Sequence, residues 1–112
     1  MVSYTQKPKH EETEERLITQ LWSQFDESGP SFDYLIVDKA KRNTMWDMWL
    51  DRRLGLIESG LEEYRQALKQ VYESGQISLD EYGKAVSYNR FLDAIDVTKR
   101  VYRNNRPFPL QF

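Results

Sequence analysis

The clearest pattern in the chain is a seven-residue repeat of apolar side chains near its middle. Its steps alternate between four and three residues, which places all members on one side of a helix that packs lengthwise against another helix. The members are Leu50, Leu54, Ile57, Leu61, Tyr64, Leu68 and Val71. Gly60 lies within the repeat and costs about 1 kcal/mol relative to alanine, but each buried apolar side chain contributes roughly 1.5 to 3 kcal/mol. We therefore predict one helix over residues 45–73, with a break at Ser59–Gly60 as the alternative.

A second long helix is expected directly after the first. Gly75 suits the C-terminus of a helix, and Ser78 with Glu81 forms a capping box for the next one. The apolar face of this helix, predicted over residues 79–103, would carry Tyr82, Ala85, Val86, Tyr88, Phe91, Leu92, Ile95 and Tyr102. Two such helices joined by a short turn form an antiparallel hairpin about 40 Å long.

The residues before the hairpin predict one or two shorter helices. An apolar stripe over residues 12–27 is typical of a helix that ends at Gly29–Pro30. Phe32–Val37 is compatible with a strand or a helix. Because a single strand would have no partner in this chain, we predict a helix over residues 32–43. Thr44 with Asp47 resembles a capping box and predicts that the hairpin starts at Met45.

Together these elements predict an all-α fold, a long antiparallel helical hairpin packed by one or two shorter N-terminal helices. Residues 1–10 are polar and show no periodicity, so we expect a flexible arm in which His10 is solvated. Residues 11–103 would form a single helical domain. Pro107 and Pro109 cannot continue a helix, and residues 104–112 are expected to form an extended tail.

Composition excludes several classes of function. The 112 residues include no cysteine and one histidine, which excludes disulfides, thiolate zinc sites and HExxH metallopeptidases. The chain contains no glycine-rich nucleotide-binding motif. No apolar run reaches the roughly 18 residues that a membrane span needs. We expect a cytoplasmic protein without a cofactor or a bound metal ion.

Aromatic residues are numerous for a chain of this size, with 5 Phe, 3 Trp and 7 Tyr. Trp46, Met48 and Trp49 span more than half the circumference of a helix, so at least one of them should lie at the surface. Trp and Tyr concentrate binding energy at protein interfaces. We therefore predict a non-enzymatic protein–protein interaction module (an adaptor, assembly factor or inhibitor of a partner protein) that also self-associates as a homodimer. The candidate partner-binding residues are Trp46, Trp49, Arg53, Tyr102, Phe108 and Phe112.

The net charge of −2 conceals an uneven distribution of charged residues. A positive cluster near the C-terminus consists of Lys99, Arg100, Arg103 and Arg106. Cations in the last turn of a helix offset the negative end of its dipole. The same cations could also bind phosphates while neighbouring aromatic rings stack on bases. The alternative function is therefore that of an accessory protein that binds nucleic acid.

Two short segments resemble known families. Glu11, Glu12 and Glu15 match the opening EExxE motif of the all-helical nucleotide pyrophosphohydrolases, which resemble this chain in size and helix content. That resemblance implies a Mg²⁺-dependent enzyme as a second alternative, although the ExxD motif of those enzymes is absent and Asp93 with Asp96 is the nearest substitute. The segment EYRQAL, residues 63–68, resembles a stretch of phage tail-fibre assembly proteins, which implies a phage or bacterial accessory protein.

Overall fold

The computed structural model describes residues 9–25, 29–30 and 38–108, and within these ranges it contains four α-helices and no strand. The helices are α1 (Lys9–Gln24), α2 (Lys39–Glu73), α3 (Leu79–Ser87) and α4 (Arg90–Asn105). The predicted all-α fold is confirmed. Outside the described ranges lie residues 1–8, 26–28, 31–37 and 109–112, which include residues 32–37 of the predicted second helix and Phe112.

The start of α2 differs from the prediction. The helix begins at Lys39 rather than at Met45, because Asp38 caps it with a carboxylate that accepts a hydrogen bond from the Ala40 N–H at 2.9 Å. Thr44, the predicted cap, lies inside the helix and donates its hydroxyl proton to the Ala40 carbonyl at 3.1 Å. Residues 39–43 therefore belong to the long helix and not to a separate N-terminal one.

α2 is the element against which α1, α3 and α4 all pack. α1 and α4 both run antiparallel to it: residues near the end of each, Gln24 and Tyr102, hydrogen-bond Arg53 and Asp47 in the first half of α2. The result is an elongated molecule of 63 × 32 × 18 Å. Among the described residues, no helix has the length and apolar character required to cross a membrane.

The core forms along the seven-residue repeat of α2. Its C-terminal five members, Ile57, Leu61, Tyr64, Leu68 and Val71, are buried, whereas Leu50 and Leu54 are half-buried. α1 and α4 together cover this side of α2 with Leu17, Ile18, Leu21, Phe91 and Ala94. The repeat therefore faces two antiparallel helices and not only the second arm of the predicted hairpin.

α2 is continuous through Gly60, as predicted, and the structure gives the reason for the glycine. A Cβ atom on this residue would lie 2.8 Å from Cε1 of Phe91, whose ring is buried on α4. Gly60 is the position at which α4 approaches α2 too closely for any side chain.

The turn after α2 follows the prediction, but the second arm of the hairpin is interrupted. Gly75 adopts a positive φ of 77° at the end of α2, and Ser78 with Glu81 forms the expected capping box. The predicted helix over residues 79–103 is divided at Tyr88–Asn89 into α3 and α4. The Asn89 side chain accepts from the N–H groups of Phe91 and Leu92, so it starts a new helix at this point.

Candidate functional site

Three of the predicted partner-binding residues form a small second core. The side chains of Trp46, Trp49 and Tyr102 are 3%, 6% and 8% exposed, and the two indole rings meet edge to face with their centroids 5.3 Å apart. Phe25 packs against Trp49, and the glycine at position 29 lies directly on the Trp46 ring, leaving no space for a Cβ atom. These rings join α2, α4 and the end of α1, and they present no exposed surface to a partner.

Arg53 and Met48 lie at the edge of this aromatic core. The Arg53 guanidinium stacks over the Phe25 ring at 5.4 Å from its centroid and donates a hydrogen bond to the Gln24 carbonyl, which fixes the end of α1 on α2. Met48 points outward and is 66% exposed. The expectation that Trp46, Met48 and Trp49 cannot all be buried is therefore confirmed, with Met48 as the exposed member.

The Tyr102 hydroxyl, Asp47 and Arg106 form a polar cluster at another side of the aromatic core. The Tyr102 hydroxyl donates to Oδ1 of Asp47 at 2.5 Å, and Nε of Arg106 donates to the same oxygen at 3.2 Å. The hydrogen bond from Tyr102, more than that from Arg106, holds the pKa of the Asp47 carboxyl below its usual value. Burial, and then the bond to Asp47, raises the pKa of Tyr102. Arg106 thus belongs to an internal ion pair, which removes it from the predicted phosphate-binding set.

The segment after α4 is bound to the start of α2. The Phe108 N–H donates to Oδ1 of Asn43 at 3.1 Å, while Arg106 donates to the Phe108 carbonyl at 2.5 Å. The half-exposed Phe108 ring has the Lys39 ammonium 5.4 Å from its centroid. Of the predicted partner-binding residues, Phe108 is the one that the structure leaves exposed at the surface; Phe112 is outside the described ranges.

The remaining basic residues of the C-terminal cluster lie on the outer side of α4. Lys99, Arg100 and Arg103 are all exposed, and Nε of Arg103 donates to the Lys99 carbonyl at 3.4 Å. No carboxylate of the described residues lies within ion-pair distance of these three cations.

α3 carries an exposed apolar surface that was not predicted. None of its nine residues is buried, and Leu79, Val86 and the adjoining Tyr88 are 68%, 38% and 83% exposed. We expected Val86 and Tyr88 on the buried face of one long helix, but the interruption at Asn89 turns α3 away from the direction of α4. A sequence signal for this was present, because Asn89 precedes the apolar pair Phe91–Leu92 as an N-cap residue would.

Hollows border this helix on several sides within the described part of the chain. One of about 530 Å³ lies between α2 and α3 and is lined by Arg65, Lys69, Tyr82 and Val86, among others. Two more, of about 490 and 610 Å³, open toward α1 and toward the start of α4, and Tyr88 borders both. The exposed tyrosine ring therefore stands between two concave surfaces.

His10 is buried, so the prediction of a solvated histidine is wrong. α1 begins at Lys9, which places the imidazole against the Tyr64 ring with their centroids 6.3 Å apart. Burial and the neighbouring carboxylates of Glu14 and Glu11 raise the pKa of Tyr64 to about 12. His10 and Tyr64 together fill the space between the start of α1 and the second half of α2.

The acidic residues do not assemble into a metal site in the part of the chain that the structure covers. Glu11, Glu12 and Glu15 are exposed on the first turns of α1. Asp93 and Asp96 line the hollow at the start of α4 together with Glu14, whose carboxylate pairs with Arg90 at 3.6 Å. Among the described residues, no group of three or more histidine or carboxylate side chains is arranged to hold a metal ion.

Comparison with known proteins gives no relative: no protein-family model, no curated protein and no solved structure matches the chain.

Proposed function

We propose that the protein is a non-enzymatic protein-binding module, and that α3 with its adjoining hollows is the surface that contacts the partner. The observation that carries the proposal is the exposure of Leu79, Val86 and Tyr88 on a helix that buries no residue of its own. Large apolar side chains that remain exposed on one short element of a small protein are candidates for an interaction site.

The energetics of α3 favour a role in binding. A helix of nine residues is too short to be stable by itself in water. It is held by its capping box and by the contact of Tyr82 with Tyr72 on α2, whose ring centroids are 4.7 Å apart. A partner that covers Leu79 and Tyr88 would gain roughly 1.5 to 3 kcal/mol for each fully buried side chain and would stabilise α3 at the same time.

Tyr88 is the residue from which we expect the largest single contribution. Its ring is the most exposed large apolar side chain among the described residues and it separates two hollows. Tyrosine is enriched among the residues that dominate interface energies, because its rigid ring buries a large area and its hydroxyl finds a polar partner at the rim. Charged and polar residues line most of both hollows, so the proposed partner is a protein surface with apolar side chains that cover the Tyr88 ring and polar side chains that enter the hollows on either side of it.

The proposal is tested with a double variant, Leu79→Ser with Tyr88→Ser, and a control variant, Met48→Ser. Met48 is as exposed as Leu79 but lies on α2 away from α3, so the control removes the same kind of side chain from another surface. The full chain captures its partner from an extract of the source organism, and the partner is identified by mass spectrometry and purified. Calorimetry then compares the three proteins.

We expect the double variant to bind the purified partner more than about tenfold more weakly, since truncating a hot-spot residue costs about 2 kcal/mol or more. The control variant should bind like the wild type. Light scattering on the protein alone shows whether a second copy is the partner, in which case the double variant dissociates the dimer. Equal binding by wild type and double variant would contradict the proposal, as would a monomer that captures nothing.

A further inference from the structure

The end of the molecule at which α2 begins and α4 ends is strongly basic. Residues 38–47 and 97–108 are joined there by the bonds from Tyr102 and Arg106 to Asp47 and from the Phe108 N–H to Asn43. These two segments contain seven basic residues and two acidic ones. The sequence places the basic residues in two clusters more than fifty positions apart, so the tertiary structure creates this basic end.

The two acidic residues within these segments are already engaged, and the exposed Asp96, which precedes the second segment, forms no ion pair with Lys99 or Arg100. Asp38 caps α2 by accepting from the Ala40 N–H, and Asp47 accepts from Tyr102 and Arg106. The exposed cations on α4 therefore have no carboxylate neighbour in an ion pair within the described ranges. They are Lys99, Arg100 and Arg103.

Stabilisation of the α4 dipole does not account for this cluster. The dipole effect falls off within the last turn of a helix. Arg103 is the basic residue in the last turn of α4, which ends at Asn105. Lys99 and Arg100 lie four and three residues before Arg103 and precede the last turn, where the field of the helix end is weaker. Their exposed charges are therefore accessible to an external anion.

An exposed aromatic ring lies at the same end and is held in place. Hydrogen bonds at its own N–H and carbonyl groups fix the Phe108 backbone to Asn43 and Arg106. Lys39 contacts the ring by its ammonium, 5.4 Å from the centroid. A ring held in this way loses little conformational entropy when a flat ligand stacks on it.

We infer that this end of the molecule binds single-stranded nucleic acid, with Lys99, Arg100 and Arg103 contacting successive phosphates and a base stacked on Phe108. Proteins that bind single strands combine a basic track with aromatic side chains in this manner. An acidic protein surface would satisfy the cations but has no need of the exposed Phe108 ring, which is held at the same end of the molecule by Asn43 and Arg106. This contact uses no residue of α3: Lys99 lies about 14 Å, and Arg103 about 20 Å, along α4 from its first residue Arg90.

The test is fluorescence anisotropy of the full chain with a labelled oligothymidylate of about 15 nucleotides, at salt concentrations from about 20 to 200 mM. The main variant is Lys99→Gln with Arg103→Gln, which removes charge without reversing it and so does not oppose the α4 dipole. The matched control is Arg65→Gln with Lys69→Gln, which removes the same charge from the exposed side of α2 near α3. Phe108→Leu keeps an apolar side chain and removes the ring. Circular dichroism confirms that each variant is folded.

We expect the wild type to bind with a slope of log K against log salt of about −2, since each phosphate contact on a single strand contributes about −0.7. The Lys99→Gln, Arg103→Gln variant should bind on the order of tenfold or more weakly at about 20 mM salt and lose about 1.4 from the slope. Phe108→Leu should weaken binding with an unchanged slope, and the control should match the wild type. Heparin, which has charge but no bases, provides the comparison ligand.

Three results would overturn the inference. The first is the absence of binding at low salt. The second is a loss of oligonucleotide affinity in the control variant equal to that in the Lys99→Gln, Arg103→Gln variant, which means that net charge alone governs the affinity. The third is heparin binding as tight as that of the oligonucleotide together with no effect of Phe108→Leu, which identifies a simple polyanion surface.

Discussion

At the scale of single residues, Gly60 decides how closely two helices can approach. The residue occupies the middle of α2, where glycine is otherwise unfavourable, and Cε1 of Phe91 lies within 2.8 Å of the position that a Cβ atom would take. The Phe91 ring is buried, so it has no free space to move into. The unfavourable backbone entropy of glycine is offset by the close packing of α4 on α2.

Gly60→Ala is therefore expected to destabilise the fold despite its gain in helix propensity. Overpacking costs about 1 to 3 kcal/mol, against a propensity gain of about 1 kcal/mol, so the net loss is about 1 kcal/mol. Gly55→Ala is the matched control on the same helix, because nothing lies within 4 Å of its Cβ position, and it should stabilise by about 0.5 to 1 kcal/mol. Urea denaturation of the three proteins measures both changes. Two variants of equal stability would contradict the packing argument.

Tyr102 has a buried ring and a hydroxyl group that hydrogen-bonds a charged carboxylate. Its ring belongs to the aromatic core, while its hydroxyl donates to the carboxylate of Asp47 at the surface of that core. The native pKa of Asp47 is lowered from the value of 3.8 that applies to the unfolded chain. Between the native and the unfolded pKa, Asp47 therefore binds a proton more readily in the unfolded state. Its contribution to the free energy of unfolding is present above about pH 4 and is lost as the pH falls through the native pKa.

We expect Tyr102→Phe to lower the free energy of unfolding by about 1 kcal/mol near neutral pH, through the lost hydrogen bond. Because that bond is the main cause of the lowered Asp47 pKa, the difference between variant and wild type should shrink as the pH falls below about 4. Thermal or urea denaturation at pH 7 and pH 3 measures the difference in the free energy of unfolding between the variant and the wild type. A difference in the free energy of unfolding that stays constant with pH would show that the loss does not come from the hydrogen bond to the ionised carboxylate of Asp47.

At the scale of the elements, Asn89 connects the end of α3 to the start of α4. Its Oδ1 accepts from the N–H groups of Phe91 and Leu92, and its Nδ2 donates to the carbonyls of Ala85 and Val86. One side chain thus satisfies free backbone groups of two helix termini. The bend at this residue is what directs Tyr88 and Val86 toward solvent.

Replacing Asn89 by aspartate separates these two roles. Asn89→Asp keeps the side-chain oxygen that accepts from the N–H groups at the start of α4. It removes the Nδ2 group that donates to the carbonyls at the end of α3, and it places a carboxylate oxygen next to those carbonyl oxygens. We expect a loss of about 1 kcal/mol that is confined to α3 and seen as faster hydrogen exchange of its amides, with α4 amides unchanged. Asn89→Ala, which removes both roles, should increase exchange in both helices. Equal exchange in α3 of the wild type and Asn89→Asp would refute the assignment.

At the scale of the whole molecule, the long helix α2 separates two surfaces of different chemistry. α3, which carries the exposed apolar side chains, packs near the second half of α2. The basic end with Phe108 lies at the start of α2. Because the two surfaces share no residue, and Lys99 lies about 14 Å along α4 from its start beside α3, a variant at one surface should leave the other intact. The tests of the proposed function and of the nucleic-acid contact can therefore fail separately.

Most of the architecture was predictable from local patterns. The seven-residue repeat predicted a continuous α2, and Gly75 with Ser78 and Glu81 predicted the turn and the cap that follow it. The start of α2 was not predicted correctly, because Thr44 and Asp38 are both acceptable N-cap residues and the choice depends on what each side chain meets. The division at Asn89 was missed for a similar reason, since the apolar spacing runs through it.

The functional residues were less predictable than the fold, since exposure is a property of packing. The helical fold, the course of the long helix and the positions of charged and aromatic residues follow from periodicity and residue type, and so they were predictable from the sequence. The packing of the helices was needed to establish that Trp46, Trp49 and Tyr102 face inward, that Arg106 pairs with Asp47, and that Tyr88 faces solvent. Which face of a helix is buried depends on the elements that pack against it, and those elements come from distant parts of the chain.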